Sequence, residues 1–147
     1  MLKIKKDEIV IGAKMAKTDK RKTIQKKAIQ DVLVHLDYHP TATMLSEELQ
    51  KRGHRVSRAT VFRVLSDAAD EGLISRIQLS GEDVRYDCNT EQHYHLHCRS
   101  CGKIEDYALP YMRELDEIES ESGFMIESHH IEFVGLCREC RLKGTEE

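Results

Sequence analysis

His93-Tyr94-His95-Leu96-His97-Cys98-Arg99-Ser100-Cys101-Gly102-Lys103 carries two kinds of metal-ligand chemistry in one short stretch. Cys98 and Cys101 form a C-x2-C pair, and Cys137 and Cys140 form a second, with 35 residues between the pairs. Four thiolates in two such pairs suit a closed tetrahedral zinc site with Zn–S near ~2.3 Å. A lone C-x2-C would leave a redox pair in serious competition; two pairs favour structural zinc. The separation exceeds that of a compact zinc ribbon, so the ion is expected to clip two distant parts of one domain. The histidines differ. Alternate residues of a strand share a face, which would point His93, His95 and His97 one way. Imidazole with carboxylate suits iron, zinc or manganese. Spacing alone leaves open whether a second site begins here or three histidines line a surface strand.

The 147 residues allow one mid-sized domain or two small ones. With no Trp and few aromatics, the core must rest on Leu, Ile and Val. No apolar run approaches the roughly 18 residues of a membrane span, and the N-terminus lacks a signal peptide's apolar region. These features predict a cytoplasmic protein without a membrane partner, where paired cysteines hold metal more readily than they form disulfides. The net charge of −3 hides an asymmetry: residues 1–63 carry 15 Lys and Arg against 7 Asp and Glu, whereas residues 64–147 carry 8 against 19. A basic half joined to an acidic one points to a nucleic-acid-facing module beside one that is not.

Residues 1–20 read as a basic arm. From Thr23, Ile24, Ala28, Ile29, Val32, Leu33 and Leu36 recur at helical spacing, with Lys20, Arg21, Lys22, Lys26 and Lys27 around the start. Asp37-Tyr38-His39-Pro40 ends that helix, because a residue before proline avoids the helical region. Thr41 can cap a second helix with Ala42, Leu45 and Leu49 inward, stopped by Gly53. Ser57 can cap a third, from about Arg58 to Glu71, with Val61, Val64, Leu65 and Ala68 inward and Gly72 closing it. Residues 73–79 and 84–88 read as two strands around a turn at Ser80-Gly81-Glu82-Asp83. A helix-turn-helix followed by such a hairpin is a winged helix, whose third helix enters the major groove. Arg58, Thr60 and Arg63 are its exposed polar candidates, and Arg is the side chain that most often reads guanine. A second module begins at Asn89. It is expected to hold a strand from His93 to Cys98, its hairpin partner over 103–107, a helix from Pro110 to about Ser122 with Met112, Leu115 and Ile118 along one side, and strand-like segments at Met125-Ile126 and His130–Leu136. An open sheet edge there makes pairing with a second copy a natural expectation.

These pieces together resemble the ferric uptake regulator family of bacterial metal-dependent repressors, over roughly residues 20–141. The resemblance lies in Arg55-Val56-Ser57-Arg58-Ala59-Thr60-Val61-Phe62-Arg63-Val64-Leu65, the run from His93 to Cys101, Cys101-Gly102-Lys103, and His129-His130 before Cys137-x2-Cys140. It implies an α+β protein: an N-terminal winged helix-turn-helix DNA-binding domain (residues 1–88 with the basic arm) and a C-terminal α+β dimerisation domain (89–147). It implies a homodimer on double-stranded operator DNA and a structural Zn2+ on Cys98, Cys101, Cys137 and Cys140. It also implies a regulatory Fe2+ or Mn2+ between the domains. Within the family the chain is most similar to peroxide-responsive repressors, whose regulatory site of three His and two Asp falls here on His39, Asp87, His93, His95 and Asp106. Arg58, Thr60, Arg63 and Lys22 would then face DNA.

The chain departs from the family pattern in several places. Ile24 and Lys26 stand where Pro and Arg are common, and Phe62 replaces a usual Tyr on the recognition helix. Cys88 is a fifth cysteine, read as a buried thiol on the face opposite Asp87. His97 is read as a strand-surface or zinc-neighbouring residue. His129 and His130 are read as ordinary strand residues or, with Glu105 or Glu127, a further metal site. The alternatives are a regulator responding to iron or zinc level and a zinc-stabilised protein-interaction module. The second would leave Arg58 and Arg63 without purpose. An enzyme is not expected: the His-x-Glu with Pro-Cys-x2-Cys of zinc deaminases, H-E-x-x-H and the P-loop are all absent.

Overall fold

The computed structural model describes residues 20–79 and 83–144. The basic arm (apart from Lys20), most of the turn at Ser80–Asp83 and the last three residues lie outside that description. The chain divides into two compact units, Met1–Thr90 and Glu91–Glu147.

The first unit is built on α1 (Lys20–Val34), α2 (Ala42–Lys51) and α3 (Arg58–Asp70). Ala28, Ile29, Val32 and Leu33 fall on one face of α1, and pack with Leu45 and Leu49 of α2 and Val61, Val64, Leu65 and Ala68 of α3. Ile24, expected on the same stripe, is 68% exposed. Burial on α1 starts only at Ala28, so the first turn covers nothing. The caps follow the sequence: Thr41 Oγ1 accepts the Met44 N–H at 3.1 Å, and Ser57 Oγ accepts the Thr60 N–H at 3.2 Å. Gly53 and Gly72 take φ of 82° and 72°, which is why both helices can stop where they do. The wing is a short antiparallel pair, β1 (Ser75–Ile77) and β2 (Arg85–Asp87), with Ser75 opposite Asp87 and Ile77 opposite Arg85.

The second unit is a three-stranded sheet in the order β4-β3-β5, where β3 is Tyr94–Cys98, β4 Ile104–Tyr107 and β5 Glu132–Gly135. The β3–β4 hairpin is antiparallel and sets His95 opposite Asp106. The β3–β5 pair is parallel and sets His95 opposite Glu132. Parallel neighbours need a long connection, and residues 108–131 supply it. The helix expected from Pro110 to Ser122 does not form; the segment holds one 3-10 turn at Arg113–Leu115. Glu114, Asp116, Glu117, Glu119 and Glu121 would stack like charges at i,i+3 and i,i+4 and crowd the negative end of such a helix. Asp116 is instead drawn to Tyr111 and His129. Met112 and Ile118, expected on its apolar side, are exposed. Met125-Ile126 is not a strand, and Met125 is 77% exposed. A short helix α4 (Arg138–Lys143) closes the unit.

Candidate metal centres and recognition surface

Cys98 ends β3, Cys101 lies in the knuckle before β4, and Cys137 and Cys140 flank the start of α4. The knuckle is closed by Gly102 N–H to Cys98 O and Cys98 N–H to Lys103 O, both 2.9 Å, and tied to β5 by Arg99 N–H to Gly135 O at 2.9 Å. The four Sγ atoms lie within 4.8 Å of one another. Cys101 and Cys137 Sγ are 3.8 Å apart, close to the ~3.8 Å edge of a tetrahedron with ~2.3 Å Zn–S legs and far beyond a disulfide's ~2.05 Å. The thiols also titrate unequally. The Cys137 N–H, donated at 3.3 Å, and then the Cys101 N–H hold Cys98 down to about 6. In Cys101 the opposing pull of the Lys103 N–H is outweighed by burial and the neighbouring sulfurs, which push it up to about 11. Clustered sulfurs resist joint ionisation unless a cation compensates them. The donor set and spacing fit zinc.

In the first unit His39 sits in the loop between α1 and α2 and Asp87 ends β2; His39 Nδ1 is 3.7 Å from Asp87 Oδ1. Asp87 Oδ1 also accepts the Asn89 N–H at 2.8 Å. In the second unit His93, His95 and Asp106 offer ligand atoms within 4.8 Å of one another. His93 Nε2 is 3.0 Å and His95 Nε2 3.8 Å from Asp106 Oδ1, and the two rings are 4.4 Å apart. The other nitrogen of His93 lies 2.7 Å from the Glu91 carbonyl, so both ring nitrogens face oxygens. A neutral ring can donate to one of them alone, and a metal cation at Nε2 would satisfy the other. The imidazole and carboxylate donors suit a divalent transition metal.

His97 and His129 are occupied otherwise. His97 Nδ1 turns to Glu132 on β5 at 2.8 Å and does not join His93 and His95. His129 accepts from the Tyr94 phenol at Nε2, 2.6 Å, and donates to Asp116 from Nδ1, 2.6 Å, so both of its ring nitrogens are hydrogen-bonded. Cys88 is half-buried against the first unit's core.

On α3, Arg58 and Arg63 are exposed, and among the described residues they reach Glu47 at 3.9 Å and Asp67 at 3.8 Å, loose surface pairs that cost little to exchange for another anion. Lys22 is exposed on α1. Thr60, expected among the exposed side chains, is half-buried, and its hydroxyl pairs with Ser57 Oγ at 2.9 Å. Phe62, between Arg58 and Arg63 on α3, is 59% exposed. Sequence reasoning passed over Arg85, a buried cation on β2. It also passed over Asp116 and Tyr111, whose roles depend on a loop path that no periodicity encodes.

Residues 17–134 match the model of the ferric uptake regulator family. The peroxide-responsive repressor of Staphylococcus epidermidis is 32% identical, over 90% of this chain and 89% of that protein. The peroxide operon regulator of Bacillus subtilis is 33% identical, over 88% and 90%. Among solved structures, the peroxide stress regulator of Campylobacter jejuni superposes with a TM-score of 0.62 at 27% identity, covering 82% of this chain and 91% of that one.

Proposed function

The chain belongs to the ferric uptake regulator family of metal-dependent transcriptional repressors, not enzymes, and from that premise we propose that it is an intracellular sensor of peroxide. In this reading the first unit binds operator DNA through α3, with Arg58 and Arg63 toward base edges and Lys22 toward phosphate. The second unit carries the structural zinc on Cys98, Cys101, Cys137 and Cys140 and pairs with a second copy. The exposed Ile118, Phe124, Met125, Val134 and Leu136 are apolar surface that a partner would cover.

His39 and Asp87 from one unit and His93, His95 and Asp106 from the other would share one Fe2+ or Mn2+. An ion so held would fix the angle between the units, and in a dimer the separation of two α3 helices. Those helices must meet major grooves roughly 34–36 Å apart or a multiple of that. DNA affinity and metal affinity are then linked, and the coupling is reciprocal. Bound Fe2+ supplies the one-electron chemistry that activates peroxide. The chain would supply the target: a ring carbon of His39 or His93 would gain one peroxide oxygen in place of its hydrogen, and the other oxygen would leave as water. An oxidised ring is a poorer ligand, so the angle relaxes and DNA is released.

The observation that carries this reading is His93 with both nitrogens facing oxygens, beside Asp106, in a chain whose relatives respond to peroxide. The test is peptide mass spectrometry after peroxide. Iron-loaded protein should gain one oxygen on a peptide holding His39 or His93, and manganese-loaded protein should not. A chain that releases its operator on metal removal but never gains that oxygen is a sensor of metal level instead.

A further inference from the structure

We propose that Arg85 is a positioning residue for the first unit's half of the regulatory site, clamping the loop that carries His39 onto the strand that carries Asp87. The inference rests on the reading that His39 and Asp87 take part in that site. Arg85 precedes Asp87 by two residues on β2 and is 7% exposed, an uncommon place for a permanent cation. Its Nη1 donates to the carbonyl of His39 at 3.1 Å and lies 3.5 Å from Met44 Sδ. The backbone adds a Tyr86 N–H to Pro40 O bond of 3.0 Å and a bridge between Arg85 and Thr41. Three consecutive residues, His39, Pro40 and Thr41, are thus stitched to β2, and the stitch on His39 itself is the guanidinium. The His39–Asp87 spacing of 3.7 Å is the outcome.

Two effects of Arg85 oppose each other. As a cation near a site for a dication it weakens binding by Coulomb repulsion. As a donor that fixes a ligand-bearing loop before the ion arrives it strengthens binding; groups that orient ligands are worth roughly 10–100-fold in metal affinity. Here the clamp outweighs the charge, because the bond falls on the backbone of the ligand residue and leaves its ring free to turn only about χ1 and χ2.

The opposite signs make the test decisive. Zinc-loaded full-length protein is titrated with Mn2+ calorimetrically, and with Co2+ by its d–d absorption. In Arg85→Met the Mn2+ dissociation constant should rise roughly tenfold or more and the Co2+ bands should shift or weaken, with zinc content and far-UV circular dichroism unchanged. Arg85→Lys, which keeps the charge without the planar fork, should fall between the two. Affinity in Arg85→Met that is unchanged or tighter overturns the proposal. Should that variant not fold, Arg85→Lys decides, and wild-type affinity with wild-type Co2+ bands overturns it. Wild-type protein that takes up no ion beyond zinc removes the reading and this inference together; wild-type uptake with unaltered Arg85→Met affinity removes the inference alone.

Discussion

Tyr94 and His129 are joined by a 2.6 Å hydrogen bond between the phenol oxygen and Nε2, across 35 residues of sequence. The Tyr94 side chain is fully buried on β3, and its oxygen also accepts the Met112 N–H at 3.0 Å. His129 stacks on Tyr111 with centroids 4.3 Å apart. The network therefore pins both ends of the long β4–β5 connection to the central strand. Tyr94→Phe keeps the ring and removes the oxygen, leaving the Met112 N–H and His129 Nε2 without their partner. The expected loss is about 1–3 kcal/mol, read by urea unfolding of zinc-loaded protein. Mn2+ affinity should be unaffected, because the phenol lies on the face of β3 opposite the histidines. A variant as stable as the wild type would show that the connection is held by other contacts.

The same network sets a pH dependence. The His129 imidazole donating to Asp116, aided by the Tyr111 hydroxyl, holds the Asp116 carboxyl below its ordinary 3.8. A depressed carboxyl stabilises the fold above its unfolded value and loses that contribution as pH falls through the folded one. The stability gap between wild type and Asp116→Asn should therefore persist from neutral pH down to near 4 and close below it. Comparing the two proteins at each pH cancels the loss of zinc common to both. A gap that closes between pH 7 and 5 would place the contribution on another group.

Zinc removal should act on the second unit as a whole. The four cysteines join the β3–β4 knuckle to the chain after β5, and a structural zinc contributes folding free energy of order ~10 kcal/mol in small domains. Cys137→Ser should bring zinc content from about one per chain to near zero and melt residues 91–144, seen as lost amide protection there. Protection over α1 to α3 should remain, since that unit has its own core. Zinc affinity should fall as pH falls, because protons compete for the thiolates.

Much of this was legible in the sequence, and the exceptions have physical causes. Thr41, Ser57, Gly53 and Gly72 mark helix ends by local chemistry, so α2 and α3 follow from their own residues. The paired cysteines announce a thiolate cluster by spacing, and their sulfurs do come within 4.8 Å of one another. Ile24 misled because helical periodicity cannot say how far the opposing core extends. The segment after Pro110 misled because Met112, Leu115 and Ile118 keep a helical spacing while the carboxylates between them oppose a helix. Asp116 also finds better partners in Tyr111 and His129. Arg85 was invisible because its use depends on the His39 carbonyl, 46 positions away.

Arg63 and Lys22 should fail differently when removed. Arg63 is exposed on α3 and, among the described residues, makes a loose 3.8 Å contact to Asp67, so its guanidinium is available for a base edge. Arg63→Ala should weaken operator binding by about 1–3 kcal/mol and flatten the preference for operator over random DNA. Lys22 lies exposed at the start of α1 among Lys20, Arg21, Lys26 and Lys27, in a cluster suited to phosphate. Lys22→Ala should weaken operator and random DNA alike and reduce the salt slope by about one unit. Mobility shifts over a range of salt with Mn2+ present separate the two, and neither change should alter zinc content or dimerisation. An Arg63→Ala protein that kept full operator preference would mean that α3 does not read the bases through this side chain, and would move attention to Arg58 and the exposed ring of Phe62.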